Sequence, residues 1–307
     1  MARARRILAL AAGLAISAGA LFWWLSAPVR APASVMAAVS GDAVRGEAIF
    51  HAAGCASCHA APGAKGEARL VLSGGRRFPS PFGTFTAPNI SPHPQAGIGG
   101  WSALDLYNAL HHGTSPKGRH YYPAFPYTTY IRMTPQDVAD LHAWLMRLPP
   151  SPKASAPHDL PFPFTIRRGL GLWKRLYLSP EWIVTGDLSP EEARGRYLVE
   201  ALGHCGECHT PRNALGGLEK ARWLGGAPNP VGKGRIPNIT PGGLDWSKAD
   251  IAYYLETGFT PDFDSAGGEM AEVVENLSHL PKSDLMAIAA YLKRVPPVKS
   301  EKKSAQE

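Results

Sequence analysis

Cys55-Ala56-Ser57-Cys58-His59 recurs in form as Cys205-Gly206-Glu207-Cys208-His209, and the two copies use all four cysteines of the 307-residue chain. Two thiols one helical turn apart can add to the two vinyl groups of a haem while the histidine that follows reaches the iron, so Cys-x-x-Cys-His reads as covalent c-type haem attachment. A lone Cys-x-x-Cys also suits a redox dithiol or half of a zinc site, but neither explains a histidine directly after the second cysteine in both copies. The pattern predicts two covalently bound haem c groups, attached at Cys55, Cys58, Cys205 and Cys208, with His59 and His209 as the proximal iron ligands.

Around the motifs the chain repeats itself. Arg45-Gly46 matches Arg194-Gly195, Gly74-Gly75 matches Gly225-Gly226, Pro88-Asn89-Ile90-Ser91 matches Pro237-Asn238-Ile239-Thr240, Trp101-Ser102 matches Trp246-Ser247, and Gly113 matches Gly258. Each copy closes with an amphipathic helix opened by a proline, Pro135 or Pro281. Val138, Leu141, Leu145 and Leu148, like Leu285, Ile288, Ala289 and Leu292, fall at helical spacing and read as core. This divides the chain into domains at 41–150 and 189–297, joined by a linker at 151–188, with residues 298–307 as a disordered tail. Within the linker, Pro149 to Pro163 is too proline-rich for regular structure. Ile166 to Leu178 predicts a short basic helix with Arg167, Arg168, Lys174 and Arg175, either a buttress between the domains or a docking face.

Composition fits a cofactor-wrapping protein: 29 prolines and 32 glycines predict long ordered loops rather than extended sheets. The net charge of +7 includes Arg3, Arg5 and Arg6 of the N-terminal segment and gives no support to nucleic-acid binding. After that basic flank the chain runs apolar from Ile7 to Leu25, closing on Trp23-Trp24 as an aromatic interface anchor. The span favours an uncleaved signal anchor, residues 1–27, over a secretory signal, whose apolar core is about 7–15 residues. Ala31-Pro32-Ala33 offers a small-residue cleavage site, so a cleaved signal is the alternative. Residues 28–40 read as an Ala/Pro-rich tether. Either reading puts the rest of the chain on the periplasmic side of a bacterial inner membrane.

The order of motifs resembles the class I cytochrome c fold used twice, and the chain is similar to the membrane-associated cytochrome c subunits of bacterial periplasmic dehydrogenases of the alcohol and gluconate type. The most specific stretches are Cys205-Gly-Glu-Cys-His209-Thr-Pro-Arg-Asn213 and Ile236-Pro-Asn-Ile-Thr240. Those relatives commonly carry three haem motifs; this chain has two. The resemblance implies an all-α protein of two tandem domains behind a transmembrane helix. It also implies that Pro88 and Pro237 offer their carbonyls to the proximal histidines, and that Trp101 and Trp246 donate to haem propionates.

For the second haem, Gly268-Glu269-Met270 lies where the family places its distal methionine, and a thioether there raises the potential as suits an electron carrier. The first half departs from this: the matching step from Trp101 lands on Phe125, which cannot bind iron. Met133 is the nearest sulfur and the first candidate; a histidine among His111, His112 and His120, or no protein ligand, are the alternatives. The implied function is electron transfer, from a periplasmic dehydrogenase subunit to a downstream cytochrome or oxidase, by a subunit that is not an enzyme on its own. Phe125 keeps open a second reading, a haem enzyme with an open distal site acting on peroxide or a sulfur oxyanion.

Overall fold

The computed structural model describes residues 1–229 and 234–300. In chain order the helices are α1 (Ala2–Leu25), α2 (Ala43–Ala52), α3 (Cys55–His59), α4 (Ala103–His112), α5 (Tyr127–Tyr130), α6 (Pro135–Leu145), α7 (Leu170–Tyr177), α8 (Pro190–Tyr197), α9 (Gly206–His209), α10 (Lys248–Thr257), α11 (Glu269–Leu277) and α12 (Lys282–Arg294). Short antiparallel pairs, β1 (Arg77–Ser80) with β2 (Gly83–Thr86) and β3 (Ala227–Pro228) with β4 (Arg235–Ile236), make the fold mostly helical rather than all-α.

The helix starts follow from local chemistry. Ser102 and Ser247 accept from the backbone N–H groups of Asp105 and Asp250, whose carboxylates in turn accept from the serine N–H groups. Such caps satisfy otherwise orphaned donors, at about 1 kcal/mol each. Both helices stop at glycines in the left-handed region, Gly113 (φ 54°) and Gly258 (φ 81°).

Glycine also sets how the helices cross. A Cβ on Gly46 of α2 would lie 2.0 Å from the Asp140 carbonyl oxygen on α6, and one on Gly195 of α8 would lie 1.9 Å from the Ala287 carbonyl oxygen on α12. Next to each glycine an arginine grips a carboxylate through two bonds: Arg45 to Asp140 (2.8 and 3.0 Å) and Arg194 to Asp284 (2.9 and 2.6 Å). Around these crossings a continuous apolar core runs through both halves, from Phe50, Leu72 and Val138 to Val199, Leu285 and Tyr291.

Two segments are more tightly held than their composition suggests. Residues 28–40 lie along α4, where the Arg30 guanidinium pairs with Asp105 (3.0 Å) and the Ala31 N–H donates to Asn108 (2.7 Å), so this stretch is not a free tether. The expected tail begins later than 298, because Asn238 donates to the Val298 carbonyl (2.7 Å) and the Ser300 hydroxyl (3.0 Å); its remainder lies outside the described residues. The same wrap occurs in the first half, where Asn89 donates to the carbonyls of Ser151 and Lys153.

Replacing Gly195 with alanine forces α8 off α12 and is expected to lower stability by about 1–3 kcal/mol, the usual effect of overpacking. Gly169→Ala, which meets nothing within 4 Å, is expected to stay within about 0.5 kcal/mol. Paired denaturant titrations of the two variants check this.

Candidate haem-attachment sites

Both Cys-x-x-Cys-His motifs wind into a helical turn, α3 and α9, with Cys205 at helical φ −53° and ψ −35° just ahead of α9. That turn brings the two thiols to one side. Burial pushes the Cys55 and Cys205 thiols up to about 12 and Cys58 up to about 11. A redox dithiol needs the opposite shift, toward thiolate. The direction of the shift argues against a redox dithiol at either motif.

His59 Nδ1 lies 2.9 Å from the Pro88 carbonyl oxygen and His209 Nδ1 lies 2.8 Å from that of Pro237. A carbonyl only accepts, so Nδ1 carries the proton in each ring and Nε2 keeps its lone pair, the tautomer a metal requires. Burial lowers the pKa of both rings, which keeps them neutral. The geometry depends on two glycines. The Gly74 N–H donates to the His59 carbonyl (2.7 Å) and the Gly226 N–H to that of His209 (2.8 Å). A Cβ on Gly74 (φ 68°) would meet the Pro88 carbonyl carbon at 2.5 Å, and one on Gly226 (φ 83°) would meet the Asn238 nitrogen at 2.9 Å. The structural equivalents are thus Gly74 and Gly226, one residue away from the glycine-pair alignment that the sequence suggests. Thiols, imidazoles and close-packed glycines together fit haem c at both motifs.

The loops that follow α4 and α10 match in their hydrogen bonds. Tyr121 N–H donates to Gly113 O and Ala266 N–H to Gly258 O, both at 2.7 Å, and Thr114–His120 and Phe259–Ser265 form matching bridges. Four residues past each of these donors stand Phe125 and Met270, so their equivalence holds in three dimensions. Met270 opens α11 and packs on the core. Phe125 sits among Tyr121, Tyr127 and Tyr130, with ring centroids 5.8 to 6.3 Å away.

Met133 is fully buried immediately before Thr134, the cap of α6. Leu280 takes the same place before the cap of α12. A residue there commonly packs as a hydrophobic staple, and Met133 has that placement. Of the three histidines, His120 has both ring nitrogens engaged, with Ser26 O (2.9 Å) and Lys174 Nζ (3.0 Å). His111 is buried, stacked on Tyr107 at 3.8 Å, and its Nε2 meets no partner among the described residues. Trp101 and Trp246 are half-buried against the core; the Trp101 carbonyl accepts from His142 (2.9 Å).

The two motifs also clasp each other, which no pattern in the sequence signals. Thr128 of α5 donates to the Glu207 carboxylate inside the second motif (2.9 Å), and Asn276 of α11 donates to the Ser57 hydroxyl inside the first (2.8 Å). Arg76 bonds the Ser57 carbonyl (2.6 Å) and pairs with Glu269 and Glu272, the neighbours of Met270. Cysteine spacing marks each motif, but these partners are ordinary polar residues far apart in the chain. His51, which reads as a surface residue from sequence, stacks on His279 at 3.9 Å across the same junction.

Arg76→Ala removes three bonds at this junction. It is expected to lower stability by about 1–2 kcal/mol, discounted for the exposure of its carboxylate partners, as read by denaturant titration against an Arg76→Lys control that retains the charge.

Residues 43–149 match the family described as Cytochrome c. Over 294 residues the chain is 63% identical to a protein of Cereibacter sphaeroides named diheme cytochrome c-type, covering 96% of this chain and 99% of that one. It is 41% identical over 82% of its length to the fructose dehydrogenase cytochrome subunit of Gluconobacter japonicus and 35% identical over 81% to the gluconate 2-dehydrogenase cytochrome c subunit of Pantoea cypripedii. It spans only about half the length of these two, 52% and 58% respectively. Motif, fold and relatives agree, and the chain belongs to the cytochrome c family.

Proposed function

We propose that the chain is a dihaem electron-transfer cytochrome with two tandem class I-like domains, 41–150 and 189–297, that takes electrons from a periplasmic dehydrogenase and passes them toward the respiratory chain through a downstream cytochrome or oxidase. The observation that carries this is the matched pair of histidine-to-proline-carbonyl bonds, one per Cys-x-x-Cys-His turn. The named relatives that are dehydrogenase cytochrome subunits support the donor. Haem iron, once attached, supplies a one-electron couple.

The chain's own residues then set position and potential. Cys55 and Cys58, like Cys205 and Cys208, would hold the haem covalently, and His59 and His209, whose Nε2 is left free by the proline bond, would bind its iron. Met270 would supply a thioether ligand at the second site. In the first site Phe125 fills the equivalent position with an apolar ring, and Met133 packs beneath α6. Trp101 and Trp246 stand ready to donate to propionates. The clasp between the motifs holds the sites in one frame, so electron transfer between them needs no domain motion.

The apolar helix α1 is long and apolar enough to cross a bilayer. We read it as a retained anchor at the inner membrane with the haem domains on the periplasmic side. The support is that its last turn is built into the folded part: His120 Nε2 donates to the Ser26 carbonyl (2.9 Å) and Arg175 to that of Leu25 (2.6 Å).

Haem content checks the assignment. The protein should carry two haems per chain by pyridine haemochrome analysis, one after Cys55→Ala with Cys58→Ala, and one after Cys205→Ala with Cys208→Ala. Met270→Ala is expected to abolish the methionine-to-iron charge-transfer band of the oxidised protein, and Met133→Leu to leave it unchanged. A value near one haem in the unmutated chain defeats the dihaem reading.

A further inference from the structure

The linker helix α7 does more than join the halves. Gly171 and Lys174 are its buried residues; a Cβ on Gly171 would lie 2.3 Å from the Ser26 carbonyl oxygen, so α7 packs directly on the end of α1. Arg168 lays its guanidinium over the Trp23 ring (3.9 Å), bonds the Ser26 hydroxyl (2.9 Å) and reaches the Trp23 carbonyl; Arg175 bonds the Leu25 carbonyl. These contacts cap the C-terminal carbonyls of α1, which a helix otherwise leaves unpartnered.

Flanking this joint is an apolar surface left largely exposed among the described residues. Phe162 and Leu176 are 79% and 69% exposed, Ile166 is 52% exposed, and Phe164 and Leu172 are also open. Trp23 and Trp24 are exposed beside it at the end of α1. The charge of the same stretch is one-sided: Arg167, Arg168, Lys174 and Arg175 lie between Asp159 and Glu181 with no acidic residue in between. Lys174 is buried, and burial lowers its pKa to about 7, so the arginines carry the charge of this face; their hydrogen bonds go to carbonyls and the Ser26 hydroxyl rather than to carboxylates, which leaves that charge unpaired by acid.

We propose that residues 162–176 form a second membrane contact, in which α7 and the preceding loop lie in the interface beside the end of α1, with Phe162, Ile166 and Leu176 in the acyl boundary and the arginines among anionic headgroups. Continuity with the end of α1 and a cationic, apolar face are what a helix at the lipid surface requires. A partner protein would place no demand for this face to begin where α1 ends. Because Trp173 donates to the Leu215 carbonyl (2.8 Å) in the loop that follows Cys208-His209, this contact fixes how the second haem site stands above the membrane. The inference rests on the reading of α1 as a retained anchor.

The test uses the full haem-loaded chain in nanodiscs of phosphatidylcholine with and without phosphatidylglycerol. A photo-crosslinking p-azidophenylalanine is placed singly at Leu176, at Phe162, at Leu14 within α1, and at Phe263, an exposed aromatic of the second half. Lipid adducts at Leu14, Leu176 and Phe162 and none at Phe263, with the Leu176 adduct increasing when phosphatidylglycerol is added, support the proposal. Adducts at Leu14 alone overturn it and leave the anchor in place. No adduct at Leu14 overturns the anchor, and absence at Leu176 as well overturns both. Attachment of Leu176 to a co-purified protein instead of lipid assigns the face to a partner and overturns the proposal.

Discussion

Each half of the molecule is organised by one hydrogen bond, from the imidazole Nδ1–H at the end of a Cys-x-x-Cys-His turn to a proline carbonyl 28 or 29 residues later. Proline suits the acceptor position because it has no N–H of its own, and its fixed φ holds the carbonyl in place. The bond forms only if the intervening loop comes within van der Waals contact of the turn, and only glycine at 74 and 226 permits that approach. Asn89 and Asn238, directly after the prolines, then tie down the segment that leaves each terminal helix. The turn, the glycine, the proline and the chain end are thereby one connected unit, used twice.

Much of this was legible in sequence because it is local or repeated. The motifs, the Pro-Asn-Ile turns, the Trp-Ser pairs and the arginine-glycine pairs each announce themselves by residue type and recur in order. The register of Phe125 against Met270 also survived, since both loops are closed by the same glycine and the same backbone bond. What was not legible depends on pairs distant in the chain. Arg76 with Glu269 and Glu272, Thr128 with Glu207, and Asn276 with Ser57 have no local signature, because any polar surface residue can take such a partner once the fold brings it near. Composition misled at residues 28–40: alanine and proline look like a tether, but backbone donors and Arg30 find partners on α4. Met133 stays ambiguous for a related reason: a buried sulfur beside a haem motif and a buried staple before a helix have the same residue type, and Leu280 fills the equivalent place in the second half with a hydrocarbon.

The departures from symmetry fall at the places where the halves meet something different. The loop carrying Phe125 continues directly into α5, whose Thr128 and Thr129 both reach Glu207 in the second motif. In the second half the equivalent loop continues into α11, whose Asn276 reaches Ser57 in the first motif, and Arg76 joins the same contact. Each site's distal loop therefore runs into the helix that braces the other site's attachment turn. Residues in contact through a shared network are not energetically independent. On the electron-transfer reading, the exchange of methionine for phenylalanine at the first site acts on a frame the two sites share, so a change in either distal loop is felt at the attachment turn of the other site.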